Sequence, residues 1–373
     1  MQAGTIDVKA FKVGMGAPDD VSAAARLLDE GAFRAQDVVA ILGKTEGNGG
    51  VNDFTRALAT LSFQLLIGRH TGQAVEEIAR RVPIIWSGGT EGLMSPHATI
   101  FVRSAAEPGA PDPGEKRLTV GTAYTRDLLP EEFGRLEHVR VAAEGVRRAI
   151  ADAGIDDPAD IHFVQIKTGA LTTERVRDAA SRGQTAITGD TYKSMAYARA
   201  VAALGIGLAT GEIAEDRVSD AAIGQDMGLY SDVASTSSGV ELMNCEVIVL
   251  GNARRSRSAY RIAHAVMRDA IDAAAVREAL RRAGLRVDCE LDPADLPRLV
   301  NVFAKCEPGG EGHTRGRRHV MFEDSDINYT RHIRGVVNAV IASVTGDTMC
   351  YVSAGAEHQG PPGGGVVAAV VRA

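Results

Sequence analysis

Apolar and polar positions alternate along this chain in a pattern that recurs three times. The runs VVAILGK, IHFVQIK and LVNVFAK each finish on a lysine: Lys44, Lys167 and Lys305. Short apolar runs rich in Val, Ile and Phe and followed by Gly or Thr predict β-strands. A helical period follows. Phe54, Leu58, Leu61 and Leu65 step by four, three and four, and Ile333, Val336, Val337, Val340, Ile341 and Val344 follow the same spacing, so each set predicts an amphipathic helix with a buried stripe. An arginine sits off or beside the stripe each time: Arg56, Arg199 and Arg334. The unit closes on S-x-G-x-E, with Ser87, Ser237 and Ser353 leading and Glu91, Glu241 and Glu357 in fifth place.

A long-period repeat of this kind sets the fold. Its strands and helices predict an α+β chain of three similar mixed sheet-and-helix domains. The Pro- and Gly-rich stretch 105–116 and the polar, basic stretch 251–258 read as linkers, which leaves domains at 1–104, 117–250 and 259–373. Three strand-end lysines and three turn serines suggest copies converging on a pseudo-three-fold axis, with one central site lined by all of them.

Composition narrows the partners. In 373 residues, 41 Lys and Arg against 48 Asp and Glu leave a net charge of −7, which argues against nucleic acid. The opening stretch lacks a signal-peptide core, and no apolar run approaches the ~20 residues that span a bilayer, so the expectation is a cytoplasmic protein without a membrane partner. Cys245, Cys289, Cys306 and Cys350 form no C-x-x-C pair, which excludes a zinc knuckle or a dense disulfide framework. Gly43-Lys44-Thr45 lacks the first P-loop glycine, since Val38 stands there, and Gly14-Met15-Gly16 is followed by Asp19 in place of a third dinucleotide-binding glycine. His97, His264 and His319 read as structural or solvent-exposed, and Arg315, Arg317 and Arg318 as a solvated loop.

The repeated set carries chemistry. A serine hydroxyl becomes a nucleophile when a base removes its proton, and lysine serves as that base once burial and neighbouring cations lower its pKa. Glu46 follows Lys44 and Glu307 follows Lys305, whereas Lys167 is followed by Thr168 and Gly169. Lys167 is therefore expected to be the general base and Ser237 the nucleophile, with the other two pairs as binders. Ser238 adds a hydroxyl where the other copies have Gly88 and Ala354. Three similar donor sets suit a small flat ring with repeated acceptors, such as a cyclic imide, held by the arginines and opened by serine attack.

These residues carry a resemblance. The stretches ILGKTEGNGGVNDFTRA, WSGGTEGLMSPH, QIKTGALT, SSGVELMNCEVIVLGN, GRRHVMFEDSDIN and YVSAGAEHQGPPGGG together resemble the cyanuric acid amidohydrolases and their barbiturase relatives over essentially the whole chain. The resemblance implies three like domains around a central site and a cyclic amide hydrolase of s-triazine degradation. That enzyme would open cyanuric acid to carboxybiuret, which loses carbon dioxide to give biuret. It places the catalytic pair on Lys167 and Ser237, and substrate contacts on Arg56, Ser87, Gly88, Arg199, Ser238, Arg334, Ser353 and Ala354, with Lys44 and Lys305 as outer lysines. It further implies a homotetramer, no cofactor for catalysis, and a structural magnesium or calcium ion held by Glu307, Ala356, Gln359, Gly360, Pro361 and Gly364. The alternatives are a barbiturase acting on a pyrimidine trione and a non-catalytic binder of small cyclic imides.

Overall fold

The computed structural model describes residues 4–307, 312–322 and 326–373. Parts of the stretches read above, 308–311 after the third apolar run and 323–325 within GRRHVMFEDSDIN, lie outside the described residues, as do 1–3 of the opening stretch. The first copy comprises β1 (Ile6–Gly14), α1 (Ser22–Asp29), β2 (Val38–Thr45), α2 (Phe54–Thr71), α3 (Val75–Ala79), β3 (Ile84–Gly88) and β4 (His97–Ala105). The second comprises β5 (Arg117–Tyr124), α4 (Leu136–Ala153), β6 (Ile161–Gly169), α5 (Thr173–Ser181), α6 (Thr191–Thr210), β7 (Ala234–Gly239) and β8 (Cys245–Ala253). The third comprises β9 (Tyr260–Met267), α7 (Ala273–Arg282), β10 (Leu299–Cys306), a short hairpin of β11 (His313–Thr314) and β12 (Arg317–Arg318), α8 (Tyr329–Thr345), β13 (Tyr351–Ala354) and β14 (Gly365–Arg372).

Each copy folds its four strands in one order: β1-β4-β2-β3, β5-β8-β6-β7 and β9-β14-β10-β13. In each sheet two pairings are antiparallel and the one at the edge, β2 with β3, β6 with β7 and β10 with β13, is parallel, with a helix supplying the crossover. Even the irregularities repeat, since β2, β6 and β10 each carry a register shift near their start.

Strand alternation explains how three sheets make one molecule. On one face, Ile41, Ile100 and Trp86 pack with Phe63 and Leu66 of the first copy's own helix, and the other copies have equivalent layers. On the opposite face, Val8, Leu42, Phe101, Leu118, Phe163, Leu250, Phe303, Tyr351 and Val370 pool into a single core. The rings of Phe101, Phe163 and Tyr351 lie 6.1, 5.6 and 5.9 Å from Phe303. The interior is therefore shared between copies, which is the α+β threefold arrangement read from the repeat.

Three expectations change. In α2 the stripe Phe54, Leu58, Leu61 and Leu65 is exposed, Phe54 by 77%, while Ala59, Phe63, Leu66 and Ile67 are buried. The sequence FTRALATLSFQLLIG holds two apolar stripes, and spacing alone does not choose between them. The stripe of α8 is as expected, with Ile333, Val337, Ile341 and Val344 buried. The basic stretch 251–258 is not a loose connector: β8 runs on to Ala253, Ser256 and Ser258 are buried, and their hydroxyls donate to Leu118 O (2.7 Å) and Val8 O (2.5 Å). Arg317 and Arg318 form the strand β12 and are exposed, and Arg315 is bonded to Asp269 at 2.7 Å. All four cysteines are free, and among the described residues no helix is long and apolar enough to cross a membrane.

Because Phe303 touches rings from all three copies, Phe303→Ala is expected to cost about 3–5 kcal/mol. Guanidinium denaturation should show one cooperative transition at a lower midpoint; a midpoint unchanged from the parent would contradict the shared core.

Candidate active site

The inward face of each parallel pair ends in the chemistry. Ala40 and Leu42 face the shared core, so Lys44, two residues on, faces the same way at the strand's end. The register then seats each lysine beside a serine: Lys44 opposite Ser87, Lys167 opposite Ser237 and Lys305 opposite Ser353. Adjacent strands are about 4.8 Å apart, so each pair is a side-by-side neighbour on one face. The site is the polar rim of the apolar core.

The fifth residue of S-x-G-x-E, assigned no role by the sequence, binds the rim together. Glu91 bonds Arg334, and Arg199 donates to Glu357 through Nε (2.8 Å) and Nη2 (2.5 Å). Glu241 feels Arg56, and the two line one cavity with Lys167. In each case the arginine comes from another copy than the glutamate: third to first, second to third, first to second. Two of the glutamates also stand beside their own copy's lysine, Glu241 at 2.9 Å from Lys167 Nζ and Glu91 at 3.8 Å from Lys44 Nζ, while Glu357 acts on Lys305 only through its charge. Each copy thus supplies a lysine, a glutamate and an arginine to the rim, linked across copies by the Arg334–Glu91 and Arg199–Glu357 contacts and by the charge of Arg56 near Glu241. Glycine makes the turn possible, because a Cβ on Gly89 or Gly239 would stand 2.2 or 2.0 Å from the Glu91 or Glu241 carboxylate.

Burial dominates the lysines. It pushes Lys44 down to about 8 against the pull of Glu91. Burial and then Arg199 push Lys305 down to about 7. Lys167 is lowered as well, by burial, opposed by Glu241 and helped by Arg56. Burial would raise Glu241, but Lys167 and Arg56 hold it down to about 2.

The reason given in the sequence for preferring Lys167 does not hold. Besides Glu241, Glu246 lies opposite Lys167 in the β6–β8 register, so two carboxyls distant in sequence flank the lysine that has none nearby along the chain. Glu246 itself is pushed up to about 8 by burial. The serines do differ. Ser87 is buried and donates to Val352 O at 2.6 Å, and Ser353 is buried and accepts from Lys305 Nζ at 3.1 Å. Ser237 is half-buried, and the contact it makes is a long one, 3.5 Å from Gln165 Nε2.

The other expected contacts are gathered at the same rim. Arg56 donates to Gly50 O at 2.9 Å, and its Nε and that of Arg334 are buried without a hydrogen-bond partner. Gly88 and Ala354 close their strands beside the lysine ends. The Ser238 hydroxyl is buried and donates to Met195 O at 3.0 Å. His97 is structural, held between Ser95 O and Asn301 Nδ2, and His264 stands 2.8 Å from His162.

Glu307 lies near this rim, its carboxyl accepting from Ala356 N and pushed up to about 7 by burial and Glu357. With Ala356, Glu357 and Gly360 it lines a 160 Å³ cavity. The Gln359 side chain is engaged elsewhere, accepting from Thr236 N (2.6 Å) and donating to Gly355 O (3.1 Å), so only its backbone is available as a ligand.

A serine, lysine and arginine set is thus repeated around one inward-facing rim assembled from three copies, with the Cys306 thiol donating to Ser353 O beside it. The chain belongs to the family described as amidohydrolase ring-opening protein, whose model matches residues 9–372. It is 53% identical over 371 residues to a cyanuric acid amidohydrolase of Enterobacter cloacae, covering 98% of this chain and 100% of that protein. It is 47% identical to a Nocardioides barbiturase 1 over 368 residues, 98% of each chain. A solved cyanuric acid hydrolase superposes with a TM-score of 0.94 at 46% identity, covering 99% of this chain and 100% of that one.

The lysine shifts have a sign. With folded values below the ordinary 10.5, the unfolded chain binds more protons than the folded one as pH rises from about 7 to 10.5, so stability grows across that window. Lys305→Met should flatten this rise in denaturant titrations at pH 7 and pH 10; an undiminished rise would show that Lys305 is not buried as described.

Proposed function

We propose that the chain hydrolyses cyanuric acid, with Ser237 as nucleophile and Lys167 as general base. Ser237 Oγ attacks a ring carbonyl carbon while its proton passes to neutral Lys167 Nζ. The ring C–N bond then breaks, and the leaving nitrogen takes that proton. Water cleaves the resulting ester, releasing carboxybiuret, which loses carbon dioxide to give biuret. The observation that carries the assignment is accessibility: of the three rim serines, Ser237 alone is not buried. Burial of Lys167 supplies the lowered pKa that a base requires, and the long apo contacts are of the kind that tighten on binding.

The remaining residues act as holders. Lys44, Lys305, Ser87, Ser353, Gly88, Ala354 and the backbone of Ser238 present donors to the other two sides of the ring, while Arg56, Arg199 and Arg334 set the rim's positive charge. A pyrimidine trione offers the same carbonyls, and the likeness to a barbiturase keeps barbiturate as the second substrate to assay.

Ser237→Ala and Lys167→Ala are each expected to lower kcat about a thousandfold or more, whereas Ser87→Ala and Ser353→Ala act chiefly on KM. Turnover followed by biuret release checks this. Wild-type kcat in Ser237→Ala would overturn the assignment, and turnover of barbiturate with none of cyanurate would overturn the substrate.

Half-buried Glu307 and the Gly- and Pro-rich loop at 355–365 also fit a structural divalent cation. Glu307 and backbone carbonyls among Ala356, Gln359, Gly360, Pro361 and Gly364 would hold it as an all-oxygen shell suited to magnesium or calcium. Such an ion neutralises the charge shared by Glu307 and Glu357 and takes no part in the bond changes. Chelation is expected to lower the melting temperature, with recovery on adding back the metal. A melting curve indifferent to chelator and to added magnesium or calcium would remove the ion.

A further inference from the structure

The three copies are alike at the rim and differ one layer below it. Two residues before each lysine, on the same inward face, stand Leu42, Gln165 and Phe303. Opposite them in the parallel register stand Ile85, Ser235 and Tyr351. The first copy is apolar here and the third aromatic. The second places an amide in the fully buried interior, where an unsatisfied polar group is costly.

That amide is fully specified. Gln165 Nε2 donates to Ile166 O at 3.1 Å, a carbonyl that can only accept, so the nitrogen must lie on that side. Gln165 Oε1 accepts from Ser235 Oγ at 2.7 Å and from Tyr351 OH, contributed by the third copy, at 3.1 Å. The second hydrogen of Nε2 points toward Ser237 Oγ, 3.5 Å away. Since Nε2 has no acceptor capacity, the serine oxygen can only receive a hydrogen bond from it. The serine's own proton is then excluded from this direction and left for the lysine side of the rim.

We propose that Gln165, held by Ser235 and Tyr351, is the positioning residue that makes the middle serine the nucleophile. It fixes the Ser237 rotor with a lone pair facing down and its O–H facing Lys167; Leu42 gives Ser87 no such donor, and Ser353 meets the Tyr351 hydroxyl in place of an amide. The inference rests on the assignment of Ser237 as nucleophile and supplies a cause for the asymmetry among three similar pairs.

The test is steady-state kinetics on cyanuric acid with Gln165→Met, which keeps the length and removes the donor, and Tyr351→Phe, which keeps the ring packing and frees one side of the amide. Gln165→Met is expected to lower kcat ten- to a hundredfold with KM within twofold and an unshifted pH midpoint, and Tyr351→Phe, which also loses a contact with Ser353, to lower kcat severalfold. A purely structural role would move the melting temperature and KM together. Wild-type kcat in folded Gln165→Met, or in Tyr351→Phe where the Met variant does not fold, overturns the proposal. Ser237→Ala, measured alongside, separates the two readings: if it retains activity the nucleophile assignment has failed, and if it is inactive while the Gln165 and Tyr351 variants are unimpaired, only the positioning role has failed.

Discussion

The structure depends on the reciprocal exchange of arginines among three copies. Arg199 reaching Glu357 and Arg334 reaching Glu91 are largely buried ion pairs, and such pairs are costly to assemble and more costly to break singly, because a lone, poorly solvated charge remains. Arg56, whose charge reaches Glu241, completes the circuit. Each copy thereby depends on the next for its neutralising charge, and the rim cannot form from one copy or two. The apolar face below, centred on Phe303, imposes the same condition through packing.

This exchange also explains how lysines can be both buried and useful. Glutamates beside Lys44 and Lys167 limit the penalty of burying an ammonium, while Arg334, Arg56 and Arg199 oppose the charged form of the three lysines. Burial lowers these amines and the carboxylates oppose it, which leaves Lys44 and Lys305 near 8 and 7, where neutral and charged forms are both accessible. A site with glutamates alone would keep its lysines charged, and one with arginines alone would repel them from the interior.

Much of this was legible in the chain because the repeat states it three times. The strand-end lysines, S-x-G-x-E serines and helix arginines are each at the rim, and the parallel register that joins Lys to Ser follows from a strand–helix–strand unit. The illegible parts are those set by neighbours in space. Glu241 and Glu246 reach Lys167 only through a turn and a strand register, so a search along the chain around Lys167 missed both. The buried face of α2 is not legible from spacing, because Phe54 and Phe63 belong to two equally apolar stripes. The signals that went unused were present: a glutamate in fifth place three times over, and Gln165 standing where the other copies have Leu42 and Phe303.

The central claim is that one ring-shaped ligand is held by three copies and attacked by one serine. A crystal structure with barbiturate bound tests it most directly. The account predicts the ring seated at the rim, touched by residues of all three copies, with Ser237 Oγ about 3–3.5 Å from a carbonyl carbon. A ring lying against Ser87 or Ser353 with Ser237 remote from any carbonyl, or one bound by a single copy, would contradict it.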